Sequence, residues 1–342
     1  MLFNKDIGID LGTANTLVHV DGVGIVLCEP SVVAVDVESN QVLAVGGEAK
    51  QMIGRTPGNI IAIRPIKDGV IADYDYTQAM LKYFINKAVE NKGFLTKIRV
   101  VVCIPSGITT VEERAIKEAA IGAGAAEAHL ISEPMAAAIG VGLDVYNPTG
   151  NMIVDIGGGT TEAAVISLGG VVTVKSIRVA GDDMDNAIIN HIRRNYNLLI
   201  GERTAEQIKI AIGNAYLDES NYNKTLDVRG RDTINGLPRT VNVSAKEINT
   251  ALSEPVEAIV ETIKACLENT PPELAADIMD KGIFFAGGGS LLYGLPRVVS
   301  TETGIATHLA EDALSAVVIG TGQALKNIDF TKRKRFFNRG LR

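Results

Sequence analysis

Short apolar runs rich in valine and isoleucine alternate with helical patterns along the chain. In the first half, these runs predict a meander of strands followed by one buried strand, at residues 6–10, 16–20, 25–35, 42–46 and 98–105. The second half predicts three more strands, at residues 152–156, 162–168 and 171–180. Strands that alternate with helices in this way indicate an α/β fold.

Helical periodicity fills the intervals between these strands. It predicts a helix that starts at EPMAAAIGVGL and three others at residues 110–125, 183–195 and 203–213. Pro134 occupies the first position of the EPMAAAIGVGL helix, where its missing N–H costs nothing. Residues 225–244 predict a polar hairpin, after which Ser244 and Glu247 predict a capping box. Residues 282–296 repeat the order of strand, glycine turn and helix.

Composition places the chain among ordinary globular proteins. Its 342 residues suit two domains better than one core, and 46% of them are hydrophobic and 21% charged. No stretch of 18 apolar residues lacks a charge, so no transmembrane helix is expected. Cys28, Cys103 and Cys266 lie singly in apolar contexts, which predicts reduced core residues of a cytosolic protein. The 4 histidines show no metal-ligand spacing.

Charge is unevenly distributed along the chain. The formal net charge is −7, yet the last twelve residues, TKRKRFFNRGLR, carry six basic side chains and no acid. The rest of the chain is therefore acidic, at −13. A body with this charge excludes a general nucleic-acid-binding role, so no specific nucleic acid is expected as a partner.

Two stretches, DIGIDLGTANTLVHV and MIVDIGGGTTEAAVIS, share one pattern. In each, an apolar run contains an aspartate, a glycine turn with threonine follows, and a second apolar run begins. Such turns let backbone N–H groups converge on an anion. Opposed hairpins can hold the β- and γ-phosphates of a nucleotide from both sides, with Asp10 and Asp155 on Mg²⁺. One turn alone is more often a structural hairpin, whereas two turns and a third glycine run at 287–289 favour phosphate binding.

Several motifs resemble those of the actin/Hsp70/sugar-kinase superfamily. The phosphate-1, phosphate-2, connecting and adenosine motifs of that superfamily are similar to five stretches of this chain: IDLGTANT, VDIGGGTTE, EPMAAAIG, FAGGGSLL and AVVIGTGQAL. Within this superfamily, the chain resembles the MreB family of bacterial actins in four stretches, EPSVVA, GRTPGNI, RPIKDGVIADY and TPPELAADIMDKG. The similarity covers residues 6–328, and the chain departs from the family at Ser132, at Ser290 and in its basic tail.

The resemblance implies an α/β, actin-like fold, in which two similar lobes of ribonuclease H-like sheet and helix units surround a nucleotide cleft. Each lobe is expected to carry a smaller inserted subdomain. The implied boundaries are 1–31, 76–145 and 313–330 for the first lobe core, 32–75 for its small subdomain, 146–180 and 243–312 for the second lobe core, 181–242 for its small subdomain, and 331–342 for a basic C-terminal tail.

The resemblance also implies slow ATP hydrolysis coupled to filament assembly, with ATP or ADP and Mg²⁺ as cofactors. The phosphates would contact two turns, at Thr13, Ala14, Asn15, Gly157, Gly158, Gly159 and Thr160. The adenosine would lie against Glu206, Lys209, Gly287, Gly288, Gly289 and Ser290. Asp10 and Asp155 would hold Mg²⁺ through water. Glu133 would orient the attacking water, and Thr160 would help to place it.

Chemistry supports the implied roles of Glu133 and Thr160. Phosphoryl transfer to water needs in-line positioning and charge neutralisation more than covalent help, so one carboxylate, one hydroxyl and one magnesium suffice. The residues alone also allow Glu133 to pair with a helix N-terminus, an interaction worth about 0.3–1 kcal/mol. Thr160 alone could equally be a β-branched strand residue. Asp6 and Asp36 are expected to be plain surface or turn acids.

Two segments are candidates for membrane contact. Phe94 and Leu95, within NKGFLTK, form an apolar pair at a predicted helix-to-strand connection, and members of the resembled family commonly bind membranes, some through such a loop. The tail offers Lys332, Arg333, Lys334, Arg335, Phe336 and Phe337. Each basic residue adds roughly 1 kcal/mol of attraction near an anionic leaflet. The alternatives are an apolar pair tucked under its loop, and a tail that is solvated or makes non-specific RNA and DNA contacts.

The predicted function is a cytoskeletal ATPase that determines cell shape, by organising wall synthesis or, in a wall-less cell, by serving shape or motility. Its expected location is the cytoplasm, at the inner face of the cell membrane. Expected partners are copies of itself in single or paired protofilaments, anionic membrane lipid, and membrane proteins of the shape or wall-synthesis machinery. The alternative is a small-molecule kinase of the same superfamily, although no convincing sugar-binding cluster is found. A chaperone ATPase is not expected, because it would need a peptide-binding domain after the ATPase.

Overall fold

The computed structural model describes residues 3–89 and 96–337, with side chains described within residues 5–89 and 96–326. The chain divides into two compact units. Unit 1 comprises Met1–Pro148, Ser167–Gly170 and Leu314–Arg342, and unit 2 comprises Thr149–Ile166 and Val171–Ala313. The described part of each unit contains a five-stranded sheet and a three-stranded sheet.

The described strands of unit 1 form its main sheet, a small sheet and a short hairpin. In chain order they are β1 (Phe3–Leu11), β2 (Asn15–Val20), β3 (Gly24–Pro30), β4 (Val33–Asp36), β5 (Val42–Val45), β6 (Ile60–Ile63), β7 (Ile66–Lys67), β8 (Val70–Ile71), β9 (Thr96–Ile104) and β10 (Glu127–Ser132). The main sheet has the order β10-β9-β1-β2-β3, the small sheet β5-β4-β6, and β7 pairs with β8. β1 lies in the middle of the main sheet, between β9 and β2. The turn that follows β1 therefore also lies at the middle of the sheet.

The helices of unit 1 pack on both of its larger sheets. In chain order they begin with α1 (Gly47–Met52), α2 (Tyr74–Ala88), α3 (Thr110–Gly122) and α4 (Glu133–Gly140). α1 packs on the small sheet, and α2 and α3 pack on the main sheet. Phe84 of α2 and Ile116 of α3 are buried in one core with the strands. α3 begins at a capping box formed by Thr109 and Glu112. α4 follows β10 without an intervening loop, so Glu133 stands at the edge of the sheet.

The predicted strand at residues 25–35 is wrong as a single element. It forms two strands, β3 and β4, which belong to different sheets. The break falls at Ser31 and Val32, immediately after Pro30. Proline has no N–H to continue a ladder, so it favours a strand end at this place. Apolar alternation runs through the break and therefore could not reveal it.

Unit 2 has the same alternation of strands and helices. Its strands are β11 (Asn151–Ile156), β12 (Thr161–Ser167), β13 (Gly170–Ile177), β14 (Leu198–Leu199), β15 (Thr225–Asp232), β16 (Pro238–Ser244), β17 (Ile283–Ala286) and β18 (Thr307–Leu309). Its helices are α5 (Gly181–Tyr196), α6 (Glu202–Ile212), α7 (Ala245–Ala251), α8 (Ser253–Glu268), α9 (Pro272–Lys281) and α10 (Leu295–Thr303). The main sheet has the order β13-β12-β11-β17-β18, and the small sheet β14-β15-β16.

Three local predictions for unit 2 are confirmed. The polar hairpin predicted at residues 225–244 is formed by β15 and β16. Ser244 and Glu247 make the predicted capping box at the start of α7. After β17, the glycine run enters a 3₁₀ turn at Gly288–Leu291 and then α10. Local turn and cap signals were therefore reliable in this unit.

The last helix, α11 (Ala316–Phe337), belongs to unit 1 and packs closely on α4 and β1. A Cβ at Gly320 would lie 1.8 Å from the carbonyl oxygen of Ala136, and one at Gly140 would lie 1.8 Å from that of Ala316. This backbone-to-backbone crossing fixes the position of α4. The backbone of α11 continues through Lys332–Phe337. In the described part of the chain, no helix is long and apolar enough to cross a membrane.

The cysteine prediction is confirmed for two residues and wrong for the third. Cys103 in β9 and Cys266 in α8 are buried, whereas Cys28 is exposed. β3 is an edge strand of the main sheet, and its side chains alternate between the core and the outside. Leu27 takes the buried side, which leaves Cys28 on the outer one.

The two acids expected to be plain surface or turn residues differ from each other. Asp36 is a turn acid as predicted, because its carboxylate accepts the backbone N–H groups of Glu38 and Ser39. Asp6 instead makes a two-pronged ion pair with Arg99 on the neighbouring strand, with a 2.7 Å contact to Nε and a 2.5 Å contact to an Nη. Its prediction as a plain surface acid is wrong, since it stabilises the pairing of β1 with β9.

Candidate functional site

The turn between β1 and β2 in unit 1 is held in place by hydrogen bonds from outside the hairpin. Ser31 donates its hydroxyl to the carbonyl of Gly12 (2.6 Å) and its backbone N–H to the carbonyl of Ala14 (3.0 Å). The hydroxyl of Thr13 accepts the backbone N–H of Gly69 (3.1 Å). The turn predicted to bind phosphate at residues 13–15 is thus a fixed structure rather than a loose connection.

Asp10 lies near the end of β1, just before this turn, and is half-buried. Burial raises the pKa of its carboxyl to about 6, and a hydrogen bond from Cys103 opposes the rise. The Cys103 thiol donates to Asp10 Oδ1 at 3.1 Å. Burial, with Asp10 and Glu133 as neighbouring charges, raises the pKa of Cys103 well above its ordinary value, so the thiol stays protonated. A half-buried, desolvated carboxylate that accepts a weak thiol hydrogen bond is an environment in which a divalent cation would relieve the desolvation cost.

Glu133 is the first residue of α4, and its side chain is almost fully buried. Ser132, at the helix N-cap, makes no side-chain capping bond there. Asp10 and Glu133 both act on Cys103 electrostatically, so the structure brings these two predicted site residues to the same thiol. The Asp10–Cys103 contact was not signalled by the sequence pattern.

The turn between β11 and β12 in unit 2 is fixed by the start of α5. The backbone N–H of Gly157 donates to the carbonyl of Thr160 (2.9 Å), which closes the turn. The N–H groups of Gly181 and Asp182 donate to the carbonyls of Gly157 (3.2 Å) and Gly158 (2.8 Å).

This capture of carbonyls decides where the amides of the unit 2 turn point. In a trans peptide the N–H lies opposite the C=O of the same peptide plane. Because α5 binds the carbonyls of Gly157 and Gly158, the N–H groups of Gly158 and Gly159 point away from α5. Two neighbouring amides directed outward from a glycine turn form an arrangement that binds anions. Thr160, the last residue of the turn, is 9% exposed.

The third glycine run packs directly against β11 in unit 2. Asp155 pairs with Ala286 across β11 and β17, and Gly287 follows with φ +81°. A Cβ at Gly287 would lie 2.3 Å from the carbonyl oxygen of Ile156 and 2.5 Å from Asp155 Oδ1. The structure therefore brings the predicted metal ligand Asp155 and the predicted adenosine-side glycines together. Gly288 is exposed, whereas Gly289 is buried.

The side chain of Ser290 makes its hydrogen bond within the protein. It is buried in the 3₁₀ turn, and its hydroxyl donates to the carbonyl of Ala286. Only the backbone of this residue can contribute to a binding surface in this conformation, so its prediction as a nucleotide contact stays a prediction. The departure from the family at Ser290 has a local explanation, since the hydroxyl stabilises the turn.

Lys209 of α6 joins two helices behind the glycine turn of unit 2. Its ammonium group donates to the carbonyl of Gly181 (2.7 Å) and contacts Asp185 Oδ1 at 3.0 Å. These contacts give Lys209 a structural role at the start of α5, where the turn carbonyls are held. Glu206 lies one helical turn before Lys209 and is half-buried. Both remain predicted nucleotide contacts, and Asp185 is a functional candidate that the sequence pattern did not single out.

Asp185 makes the stability of the folded protein depend on pH. Burial raises the pKa of its carboxyl to about 6, although Lys209 opposes the rise. The unfolded carboxyl has its ordinary pKa near 3.9, so the unfolded state binds fewer protons between these values and stability falls as pH rises toward 6. From pH 5 to pH 8, without nucleotide, the wild type should lose about 1 kcal/mol more unfolding free energy than Asp185→Asn, measured by urea denaturation. Glu257→Gln, an exposed acid on α8, is the control; equal pH slopes for wild type and Asp185→Asn would contradict the assignment.

The predicted membrane residues are only partly within the described structure. Phe94 and Leu95 lie outside the described residues. Lys332, Arg333, Lys334, Arg335, Phe336 and Phe337 lie on the last part of α11, whose backbone alone is described there. The basic segment is therefore helical and continuous with a helix that packs on α4.

Comparison with known proteins gives one consistent result. The family model for the MreB/Mbl protein matches residues 4–333. The chain is 54% identical over 334 residues to the cell shape-determining protein Mbl of Bacillus subtilis (strain 168), covering 97% of this chain and 99% of that protein. It is 54% identical over 332 residues to the cell shape-determining protein MreB of Escherichia coli (strain K12), covering 96% and 95%. The crystal structure of MreB 5 of Spiroplasma citri bound to AMPPNP matches with a TM-score of 0.90 at 38% identity, covering 98% of each chain.

Proposed function

Since the chain belongs to the MreB/Mbl family of actin-like, cell shape-determining cytoskeletal proteins, we propose that it binds ATP with Mg²⁺, hydrolyses it slowly and assembles into membrane-associated filaments. The small-molecule kinase alternative is not favoured, because the relatives that the chain matches over nearly their whole length are cell shape-determining proteins.

Nucleotide binding is the step that the geometry supports best. The observation that carries it is the glycine turn of unit 2, in which α5 binds the carbonyls of Gly157 and Gly158 and the following amides face outward. Outward amides in a glycine turn bind phosphate oxygens, and the start of a helix adds positive potential nearby. A solved relative, MreB 5 of Spiroplasma citri, is bound to AMPPNP, an ATP analogue. We infer that the glycine turn of each unit binds phosphate groups of ATP.

The residues at the two turns fit Mg²⁺. Asp155 is buried and Asp10 is half-buried, and both offer hard oxygen ligands. Desolvation disfavours the charge on Asp10 unless a cation is present. Among the residues that the structure describes, no group of three or more His, Cys, Asp or Glu side chains could hold a metal ion. Mg²⁺ is compatible with so few protein ligands, because it commonly takes one or two carboxylates, water and substrate phosphates instead of a full protein cage. Bound there, it would neutralise phosphate charge.

Hydrolysis is assigned to Glu133 and Thr160. Glu133 would accept a hydrogen bond from the attacking water and orient it, and burial at the start of α4 restricts the carboxylate to few conformations. Thr160 would hold the same water through its hydroxyl. One carboxylate and one hydroxyl would supply the in-line positioning that phosphoryl transfer to water needs.

Filament assembly and membrane binding complete the proposal. The partners are copies of the same chain in single or paired protofilaments, anionic lipid at the inner face of the cell membrane, and membrane proteins of the shape or wall-synthesis machinery. The basic segment Lys332–Arg335, followed by Phe336 and Phe337, supplies charge and apolar area for an anionic surface. The chain's acidic excess outside this segment gives no basis for a nucleic-acid partner.

Sedimentation tests the proposal as a whole. The full chain should pellet with ATP and Mg²⁺, and more of it should pellet with liposomes that contain anionic lipid. A variant with Lys332, Arg333, Lys334 and Arg335 changed to glutamine keeps the chain length and should lose most of the anionic-liposome gain, because four basic residues at roughly 1 kcal/mol each supply about 4 kcal/mol of attraction. Its lipid-free pelleting should be unchanged.

The controls for sedimentation separate the parts of the proposal. Liposomes of neutral lipid should give no gain, and EDTA should abolish ATP-dependent pelleting. A chain ended after Thr331 tests the contribution of the whole tail. Failure of the wild type to pellet at any concentration, together with ATP turnover that requires a small co-substrate, would overturn the filament proposal and restore the kinase.

A further inference from the structure

Ser31 lies where β3 of the main sheet ends and the chain crosses to β4 of the small sheet in unit 1. Its side chain is fully buried. The residue belongs to the EPSVVA motif, which was singled out above for its resemblance to a family and has no role in the proposed function so far. Its position beside the turn at residues 12–15 gives it one.

Ser31 uses both of its hydrogen-bond donors on one side of the turn. Its hydroxyl proton goes to the carbonyl of Gly12 and its backbone N–H to the carbonyl of Ala14. The hydroxyl of Thr16, which is also fully buried, lies 2.8 Å from Ser31 Oγ. Since the Ser31 proton is already donated to Gly12, Thr16 must be the donor in this pair. The result is a chain of hydrogen bonds that runs from Thr16 through Ser31 to the turn.

These bonds set the orientation of two peptide planes. The carbonyl of Gly12 and the N–H of Thr13 belong to one trans peptide, and the carbonyl of Ala14 and the N–H of Asn15 belong to another. With both carbonyls directed at Ser31, the N–H groups of Thr13 and Asn15 point away from it. A carbonyl rotated to the other side would present negative charge to an approaching phosphate in place of a donor.

We propose that Ser31 is a positioning residue for phosphate binding by unit 1: it holds the carbonyls of Gly12 and Ala14 behind the turn and so directs the amides of Thr13 and Asn15 to the phosphates. This deepens the proposed function and rests on it. In unit 2, the N-terminus of α5 has the corresponding role, because it binds the carbonyls of Gly157 and Gly158. Thr16 supports Ser31 by fixing the orientation of its hydroxyl.

Nucleotides of different phosphate number distinguish positioning from plain stability. The probes are ATP, ADP and AMP, competed against a fluorescent ATP analogue at saturating Mg²⁺. Ser31→Ala is expected to weaken ATP and ADP binding about 5- to 20-fold and AMP binding less than 2-fold, because only the longer nucleotides reach a second phosphate-binding turn. Thr16→Val should show the same selectivity with a smaller, 2- to 5-fold, effect.

Thr77→Val is the matched control, since Thr77 is another fully buried threonine of unit 1, whose hydroxyl donates to the carbonyl of Asp73 (2.6 Å) away from the turn. It should leave the ratio of ATP to AMP affinity unchanged even if stability falls. Equal losses for ATP and AMP in Ser31→Ala, or an ATP affinity equal to that of the wild type, would overturn the assignment. A wild type that binds no nucleotide would instead defeat the proposed function, so the two failures are distinguishable.

Discussion

Glu133→Gln is expected to hydrolyse ATP about 100-fold more slowly than the wild type while binding ATP within about 3-fold of it and still forming filaments. Glutamine keeps the size of the side chain and can still donate and accept hydrogen bonds, but it cannot accept a proton or attract a developing positive charge on the attacking water. An interaction made only in the transition state lowers turnover and leaves ground-state binding intact.

The measurement is single-turnover phosphate release at saturating ATP and Mg²⁺, with sedimentation in parallel. Glu133 also places a negative charge in the first turn of α4, which contributes about 0.3–1 kcal/mol at most to helix stability. Asp75→Asn controls for this, because Asp75 is an exposed acid in the first turn of α2. If both variants lost only a little stability and kept full phosphate release, Glu133 would be a helix-end charge and not a catalytic residue.

Many strands and helices of the two units followed from apolar periodicity because buried strands and amphipathic helices leave a strong local pattern, whereas β6 and β10 were not predicted. The capping box of α7 and the β15–β16 hairpin followed from local signals as well. The 25–35 segment could not be resolved this way, since β3 and β4 differ in the sheet they join and not in their pattern. Sheet membership is a long-range property, and only Pro30 marked the break.

The candidate site divides along the same line. The aspartates and glycines of the two turns were visible in the sequence because a glycine turn after a strand is a local feature. The groups that hold those turns come from distant parts of the chain: Ser31 for the first, and Gly181 with Asp182 for the second. For Lys209, the resemblance implied a nucleotide contact, which stays a prediction, but the sequence did not reveal that its ammonium group binds Gly181 and Asp185. Side-chain partners of this kind are set by tertiary packing.

Gly287→Ala is expected to destabilise the protein by about 2–6 kcal/mol and to weaken ATP binding strongly. Two costs add: a residue with a Cβ at φ +81° and ψ 155°, a region that essentially only glycine adopts, is disfavoured by about 1–3 kcal/mol, and overpacking a tight contact adds about 1–3 kcal/mol. The new Cβ would meet Asp155 Oδ1 at 2.5 Å and the carbonyl oxygen of Ile156 at 2.3 Å, so β11 or the glycine run must move. Either shift displaces Asp155 or the backbone beside it.

Gly304→Ala gives the cost of a positive φ without crowding. Gly304 has φ +71° and ψ 8°, in the left-handed region, and a Cβ there would meet no atom within 4 Å. It should therefore show only a backbone cost, about 1–2 kcal/mol in urea denaturation, with unchanged ATP affinity. A stability loss in Gly287→Ala above about 3 kcal/mol exceeds what backbone conformation alone costs, and the excess measures how tightly the glycine run is pressed against Asp155. Equal stability losses would mean that the run yields to a methyl group, and then it could not hold Asp155 in the fixed geometry that a metal-bound phosphate requires.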